Sequence, residues 1–577
     1  MDALLLMIVA FVGYIAMYRL YGRYIGRKIF ELTTGTQVPA KTYEDGVDFV
    51  PTKKEVIFGH HYTSIAGTGP IVGPAVAIIW GWIPAMIWIF VGSVVMGAVH
   101  DFGALIISMR NQGKSISDYT AKYINARTKF LFFIIVFLEL LIVIAIFGLV
   151  IAVIFNIFPA SVFPVWMEIP IAIALGYLVY KKGQSITGLS IVAIILMYVT
   201  VVMGVYMPIK MSAIGAIPAT GVWSLILLAY AFIASVLPVT TLLQPRDFIN
   251  SHQLIVAMVL LIGGVFVAAF TGQLEIVAPG VQMNPAQAPA MWPFLFITIA
   301  CGAISGFHSL VSSGTSSKQV SDESDALFVG YGSMLMEGAL ATLVVIAVAA
   351  GIGMGYKTDG QILTGSSAWT THYASWAAAK GLGSKIDAFV TGSANMISTL
   401  GLPMEWAVAV MGVFVASFAG TTLDTATRIQ RYVVTELFAD LKMPWFENRF
   451  VATFLAVFTA ALLAFASGAD GKGALALWPL FGAVNQTLAA LALIVITMYL
   501  KTKGGMRWMV AGIPAVFMLV MTLWATILNE IQFISSGKTL LMIINSIVIL
   551  IVIAIAFEGL IRFFRIGEEP AARPSVV

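Results

Sequence analysis

GHHYTSIAGTGPIVGP, residues 59–74, stands at the mouth of a long apolar run. Paired histidines, His60 and His61, with Gly67, Gly69, Pro70 and Pro74 close behind, are poor material for one continuous spanning helix. Yet the 577-residue chain around this stretch is 60% hydrophobic and 10% charged, with a mean hydropathy of +0.95. Such values place it among polytopic membrane proteins. Lipid offers no hydrogen bonds, so unwound backbone survives in a membrane only where protein covers it or it lines a cavity. A break around Gly67–Pro70 frees carbonyls that hold a cation and turns N–H groups and a positive dipole end toward an anion. Pro70 then suits the first turn of the following half-helix, where its missing N–H costs nothing. The plainer reading is a glycine-rich packing face, since small residues also let helices approach closely.

Outward from this motif, apolar windows able to cross about 30 Å of hydrocarbon number about fifteen, from 3–18 to 539–563, with 168–180 the shortest. The first window is followed by Arg19, Arg23, Arg27 and Lys28, the reverse of a signal peptide, so it reads as an uncleaved helix. Lys and Arg gather in 19–57 and 109–129, at Lys181–Lys182, at Arg428 and Arg431, and around Lys501, Lys503 and Arg507. The alternate loops 209–221 and 277–292 are nearly free of them. That asymmetry puts the N-terminus outside, the C-terminus in the cytoplasm and makes the number of spans odd.

Composition also excludes. One cysteine, Cys301, rules out an internal disulfide framework and a cysteine-based zinc site. No HExxH or G-x-S-x-G motif, P-loop or nucleic-acid motif is present, so an enzyme, an ATP-driven pump and a nucleic-acid partner are not expected, nor is a cofactor.

Shifted by 247 residues, the opening motif meets GFHSLVSSGT, residues 306–315, pairing Gly59 with Gly306, His61 with His308, Gly67 with Gly314 and Thr68 with Thr315. The two spans run in opposite directions, which is the plan of an inverted-repeat transporter with its site between two broken helices. The second break is expected at Ser312–Thr315. Gly67, Thr68, Gly69, Ser312, Ser313, Gly314, Thr315 and Asn485 are then the candidate substrate contacts. In ASFAGTTLDTATRIQRY, residues 416–432, the Phe418 carbonyl with the Thr421 and Thr422 hydroxyls forms an i, i+3, i+4 cluster. Facing carbonyls of the first break, such as that of Ala66, this cluster suits Na+. Such hydroxyls also bond their own backbone one turn back.

Ionisable groups inside a membrane are costly and point to function. His61, Asp101, Glu139, His308 and Glu337 are the candidates for H+ coupling, with His100 beside Asp101 and Asp424 near the cytoplasmic end of its own span. Each has a structural alternative, as a pair or a cap. His60, His61 and His308 are weak candidates for a divalent metal, because adjacent histidines on a helix point about 100° apart.

The opening motif, MGAVHDFGALIISMRNQGKSI (96–116), LDTATRIQRY (423–432) and WPLFGAVNQ (478–486) resemble the carbon starvation protein A family, from about residue 5 to 500. The resemblance implies a bacterial inner-membrane protein importing short peptides or pyruvate by proton or sodium symport. It also implies an all-α polytopic fold with a LeuT-like core of five-plus-five inverted repeats and broken helices, plus extra helices. On that plan 1–30 is an extra helix, 58–208 the first repeat, 222–276 two inserted helices and 293–499 the second repeat, with an outer loop at 356–404. Two further helices at 508–563 and a tail at 564–577 follow. Core helix eight, a sodium-ligand helix in LeuT-like transporters, falls at 405–427. An ion channel and a divalent-metal transporter are the alternatives on the same breaks.

Overall fold

The computed structural model describes residues 2–358, 360–379 and 381–566; the expected tail lies outside them from residue 567 on. In chain order the bundle is built from α1 (Asp2–Ile29), α2 (Lys54–Ala66), α3 (Gly69–Ala77), α4 (Trp82–Met109), α5 (Ala126–Ile157), α6 (Pro159–Lys181), α7 (Ile186–Tyr206), α8 (Ala219–Val236) and α9 (Leu243–Phe270). It continues with α10 (Met291–Thr298), α11 (Gly306–Gly314), α12 (Glu323–Met354), α13 (Leu382–Ser398), α14 (Met404–Asp440), α15 (Arg449–Ala464), α16 (Gly473–Thr502), α17 (Met509–Ser535) and α18 (Thr539–Ile566). The protein is an all-α polytopic membrane protein.

Among the described residues 13 helical runs are long and apolar enough to cross a membrane. The other two windows of the fifteen are α15, an apolar helix of 16 residues, and 293–317, which is split into α10 and α11. Of the two inserted helices expected in 222–276, read from the sequence as windows 222–243 and 252–276, the second begins at Leu243 instead of residue 252. Its first turns carry Arg246 and Asp247, which looked like loop material, but both are buried and paired inside the bundle.

Loops alternate between two ends. At the basic end the Thr52 N–H donates to Gln319 O at 2.9 Å and the Val239 N–H to Val47 O at 3.0 Å. At the opposite end the Gln282 N–H donates to Trp80 O at 2.8 Å and the Trp376 N–H to Ala286 O at 2.9 Å. The stretch 356–404, expected as a loop, is folded: a hairpin of β1 (Tyr356–Thr358) and β2 (Gln361–Leu363) precedes α13, whose Phe389, Val390 and Met396 are buried.

Burial sorts the helices. In the run Lys54–Trp80, which contains α2 and α3, 94% of the most apolar stretch is buried, and the same holds for α12; α14 and α16 reach 89%. In α1 only 28% is buried and in α18 33%, with Leu5, Val9, Leu550 and Phe557 facing outward. Broken and polar-bearing helices thus sit inside, where protein satisfies their backbone, and apolar helices wrap them against lipid.

Candidate functional site

The first break is at Gly67–Thr68. Gly67 has φ +37° and ψ −143°, a conformation reserved for glycine. A Cβ there would also lie 2.5 Å from Thr422 Oγ1 and 3.2 Å from the Phe147 ring. Pro70 falls in the first turn of α3, as its missing N–H allows.

The second break is not at Ser312–Thr315. The chain unwinds over 299–305, between α10 and α11, with Gly302 at φ +90°. Ser312, Ser313 and Gly314 are the last turn of α11 and Thr315 closes it. The 247-residue register is corrected with it. His61 faces Ser316, Gly69 abuts Cys301 and Gly73 abuts Thr298, so the two broken spans lie antiparallel with α2 beside α11. The register pairs these two half-helices at one end of the molecule rather than break with break. Shared small residues misled it, because both half-helices need close approach.

Asn485 and Gln486 hold the second break open. The Phe307 N–H at the start of α11 donates to Asn485 Oδ1 at 2.9 Å, and Gln486 Nε2 donates to Phe296 O, one of the last carbonyls of α10, at 2.7 Å. One dipeptide of α16 thereby satisfies both helix ends that unwinding left without partners.

Between the breaks and the opposite end lies a cavity of about 630 Å³. Its floor includes Gly67, Thr68, Gly69, Cys301, Ser305 and Asn485; Thr422 lies beside them. Gln287, Trp376, Trp478, Lys385 and Lys538 line the mouth. Among the described lining residues these two lysines carry the only charges, and no carboxylate is present. The buried Lys385 holds its ammonium 4.9 Å from the centre of the Trp478 ring. Of the expected substrate contacts, Gly67, Thr68, Gly69 and Asn485 line this cavity, whereas Ser312, Ser313, Gly314 and Thr315 do not.

At the basic end the loops are pinned to the bundle. Asp48 takes Arg428 at 2.7 Å and Arg431 at 2.8 Å. Gln244 Nε2 donates to Thr52 Oγ1 and to Gln319 Oε1, and the buried Lys318 lies 3.8 Å over the Tyr432 ring. Burial pushes the Asp48 carboxyl up, but the Arg431 and Arg428 guanidiniums outweigh it and hold it at about 2. A carboxyl depressed in the fold stabilises above its ordinary value and loses that contribution only as pH falls toward 2. The clamp is therefore at full strength at neutral and mildly acidic pH. Asp48→Asn is expected to release it and speed hydrogen exchange at the Thr52 and Val50 amides by on the order of tenfold. Unchanged exchange at both amides contradicts the clamp.

The ionisable candidates divide. Asp101 Oδ1 meets His100 Nδ1 at 2.7 Å and its Oδ2 meets His308 Nδ1 at 3.0 Å. Both imidazoles therefore meet the one carboxyl through Nδ1. His308 Nε2 then faces Glu337 Oε2 at 3.4 Å, and Glu337 Oε1 accepts the N–H of Gly302 at 3.0 Å. These two facing atoms, His308 Nε2 and Glu337 Oε2, make no hydrogen bond and lie directly behind the second break. His61 is turned to Ser316 Oγ at 2.8 Å instead, and Glu139 stands apart in α5 with neither carboxyl oxygen hydrogen-bonded.

The expected cation set lies between α2, α9 and α14. Thr422 Oγ1 donates to Ser64 O at 3.3 Å beside the first break, which follows Ala66, and Thr421 Oγ1 accepts from Asn250 on α9 at 2.9 Å. One turn before Thr422, the Phe418 ring packs on Phe414. Each hydroxyl thus has a different neighbour, on α9 and on α2. His60, His61 and His308 share no ion position: His60 spends both ring nitrogens on Asp247 at 2.5 Å and Thr315 at 2.7 Å. Cys301, His308 and Glu337 do bring donor atoms within 4.8 Å of one another, an approach that a residue count could not foresee.

Sequence reasoning missed Asp48, Glu168, Arg246, Asp247 and Lys385. Arg246 binds Glu168 at 2.9 Å, Tyr230 OH at 2.6 Å and Asp424. The available signal was charge at the edges of apolar windows, which reads as solvated unless a buried partner is known.

The chain matches the family described as Carbon starvation protein CstA over residues 2–525. It is 34% identical to the "Peptide transporter CstA" of Campylobacter jejuni, an alignment spanning 91% of this chain and 80% of that protein. To the "Pyruvate/proton symporter BtsT" of Escherichia coli it is 31% identical over 91% of this chain and 81% of that protein. Its backbone aligns with the crystal structure of MhsT in complex with L-phenylalanine at a TM-score of 0.49, with 10% identity over 82% of this chain and 99% of that one.

Proposed function

The chain belongs to the carbon starvation protein CstA family, and from that premise we propose that it is a secondary active importer of small carboxylate-bearing nutrients, short peptides or pyruvate, driven by protons. The observation that carries this reading is the cavity. It opens at one end, stops at two helix breaks, and has lysines as its only charged lining among the described residues. A cationic mouth attracts carboxylates, which both relatives' named substrates carry. Thr68, Ser305 and Thr422 are the polar groups we assign to the substrate at the floor. The pinned basic end and the open opposite end are one state of an alternating-access cycle, in which 58–208 and 293–499 act as the two inverted repeats.

We assign coupling to H+ rather than Na+. His308 Nε2 and Glu337 Oε2 face each other 3.4 Å apart beside the Gly302 amide, both buried and without a hydrogen-bond partner, which suits them to take up a proton. We place the protein in the bacterial inner membrane with its N-terminus outside and its basic, cytoplasmic end closed, and assign it no catalytic role.

Uptake of labelled pyruvate and of labelled dialanine into proteoliposomes tests the proposal. An imposed pH gradient, acid outside, is expected to drive accumulation of at least one of them by roughly tenfold per pH unit, since one unit is worth about 1.4 kcal/mol per proton. A sodium gradient alone is expected to drive none. Uptake of both substrates that ignores the pH gradient sinks the proton-symport reading.

A further inference from the structure

A second cavity, again of about 630 Å³, is a groove on the lipid-facing surface, bounded by α1, α2, α9 and α12. Its walls are mostly apolar, with Phe11, Ile15, Met258 and Met336 among them. The Phe58 and Phe328 rings stack at 4.5 Å and line its end nearest the basic loops. At that same end the lining includes Arg19 and Arg23, both exposed, and among the described residues neither forms an ion pair with a carboxylate. No acidic side chain lines the groove.

The dimensions and charges fit one kind of occupant. From Phe328 to Ala339 along α12 the groove extends about 16 Å at 1.5 Å per residue, close to half of the roughly 30 Å hydrocarbon thickness. It therefore runs from the level of the headgroups to the middle of the bilayer, the reach of an acyl chain. Two guanidiniums at the headgroup level present forked donors to a phosphate, the recognition for which arginine is suited. We propose that this groove holds a single anionic phospholipid, its phosphate against Arg19 and Arg23 and an acyl chain along α9 and α12. The site backs onto the helix that carries Glu337, whose neighbour Met336 lines the groove, so its occupant touches the coupling helix from the lipid side.

The test uses the purified full chain, delipidated in detergent, with thermal unfolding followed against added lipid. Phosphatidylglycerol is expected to raise the unfolding midpoint saturably, while phosphatidylcholine of the same chains and inorganic phosphate alone do not. Arg19→Gln with Arg23→Gln is expected to weaken the phosphatidylglycerol effect by about thirtyfold in midpoint concentration, from roughly 1 kcal/mol per basic residue at an anionic surface. Met336→Trp, which fills the groove and leaves both arginines in place, is expected to weaken it as well. An equal response to phosphatidylcholine overturns the headgroup assignment. A full response in either variant, or a response to phosphate alone, overturns the groove as the site.

Discussion

Glu337→Gln is expected to abolish accumulation of substrate against its gradient in proteoliposomes, while exchange of internal for external substrate continues. The amide is nearly isosteric and keeps an oxygen for the Gly302 N–H, which Glu337 accepts at 3.0 Å. The backbone of the second break is therefore still supported. What the variant loses is the carboxyl that faces His308 Nε2, 3.4 Å away, and is suited to take up a proton. A pH gradient of two units is worth about 2.7 kcal/mol per proton, or roughly 100-fold accumulation in a one-proton symporter. That ratio is expected to fall to about one in the variant. His308→Gln is expected to give the same result, since Asp101 and Glu337 then lose their common partner. Accumulation at the level of the unaltered protein in both variants would place coupling elsewhere, with His61 next in line.

The relation of that cluster to the sequence shows what a chain of letters conveys. The first break was legible because Gly67, Pro70 and their neighbours are local signals, and a break needs only local chemistry. The second was misplaced by several residues. Its unwound segment, 299–305, contains one glycine, Gly302, and no proline, and it is held open by Asn485 and Gln486 from a distant helix. A break imposed from outside leaves little trace in its own residues. Asp101, His308 and Glu337 were each singled out as charges within spans, but their meeting depends on α4, α11 and α12 packing together. Thr421 and Thr422 share a helix and looked equivalent; neighbouring helices divided them between Asn250 and Ser64. Composition and window length conveyed the polytopic class, because a membrane imposes both on every span.

Arg246→Leu is expected to be the most destabilising single change in the bundle, for reasons of the same long-range kind. The side chain is 2% exposed and joins four helices: Glu168 on α6, Tyr230 on α8 and Asp424 on α14 all meet it on α9. Ser417 on α14 gives a further hydrogen bond to Glu168 at 2.9 Å. Removing the guanidinium strands two carboxylates where water cannot reach them. Breaking one buried pair in this way costs roughly 3–5 kcal/mol, a large part of the stability of an ordinary domain. The variant is expected to lose its monodisperse size-exclusion peak at temperatures the unaltered protein survives. Substituting the acids as well separates this explanation from simple loss of volume. In Arg246→Leu with Glu168→Leu and Asp424→Leu no charge is left unpaired, and replacing a whole buried ionic group by apolar side chains is often neutral. The triple variant is therefore expected to regain most of the lost thermal stability, short of about 1 kcal/mol for each of the hydroxyls on Tyr230 and Ser417 that lose their partners. A triple variant no more stable than the single one would mean that packing around the guanidinium, rather than charge balance, holds these four helices together.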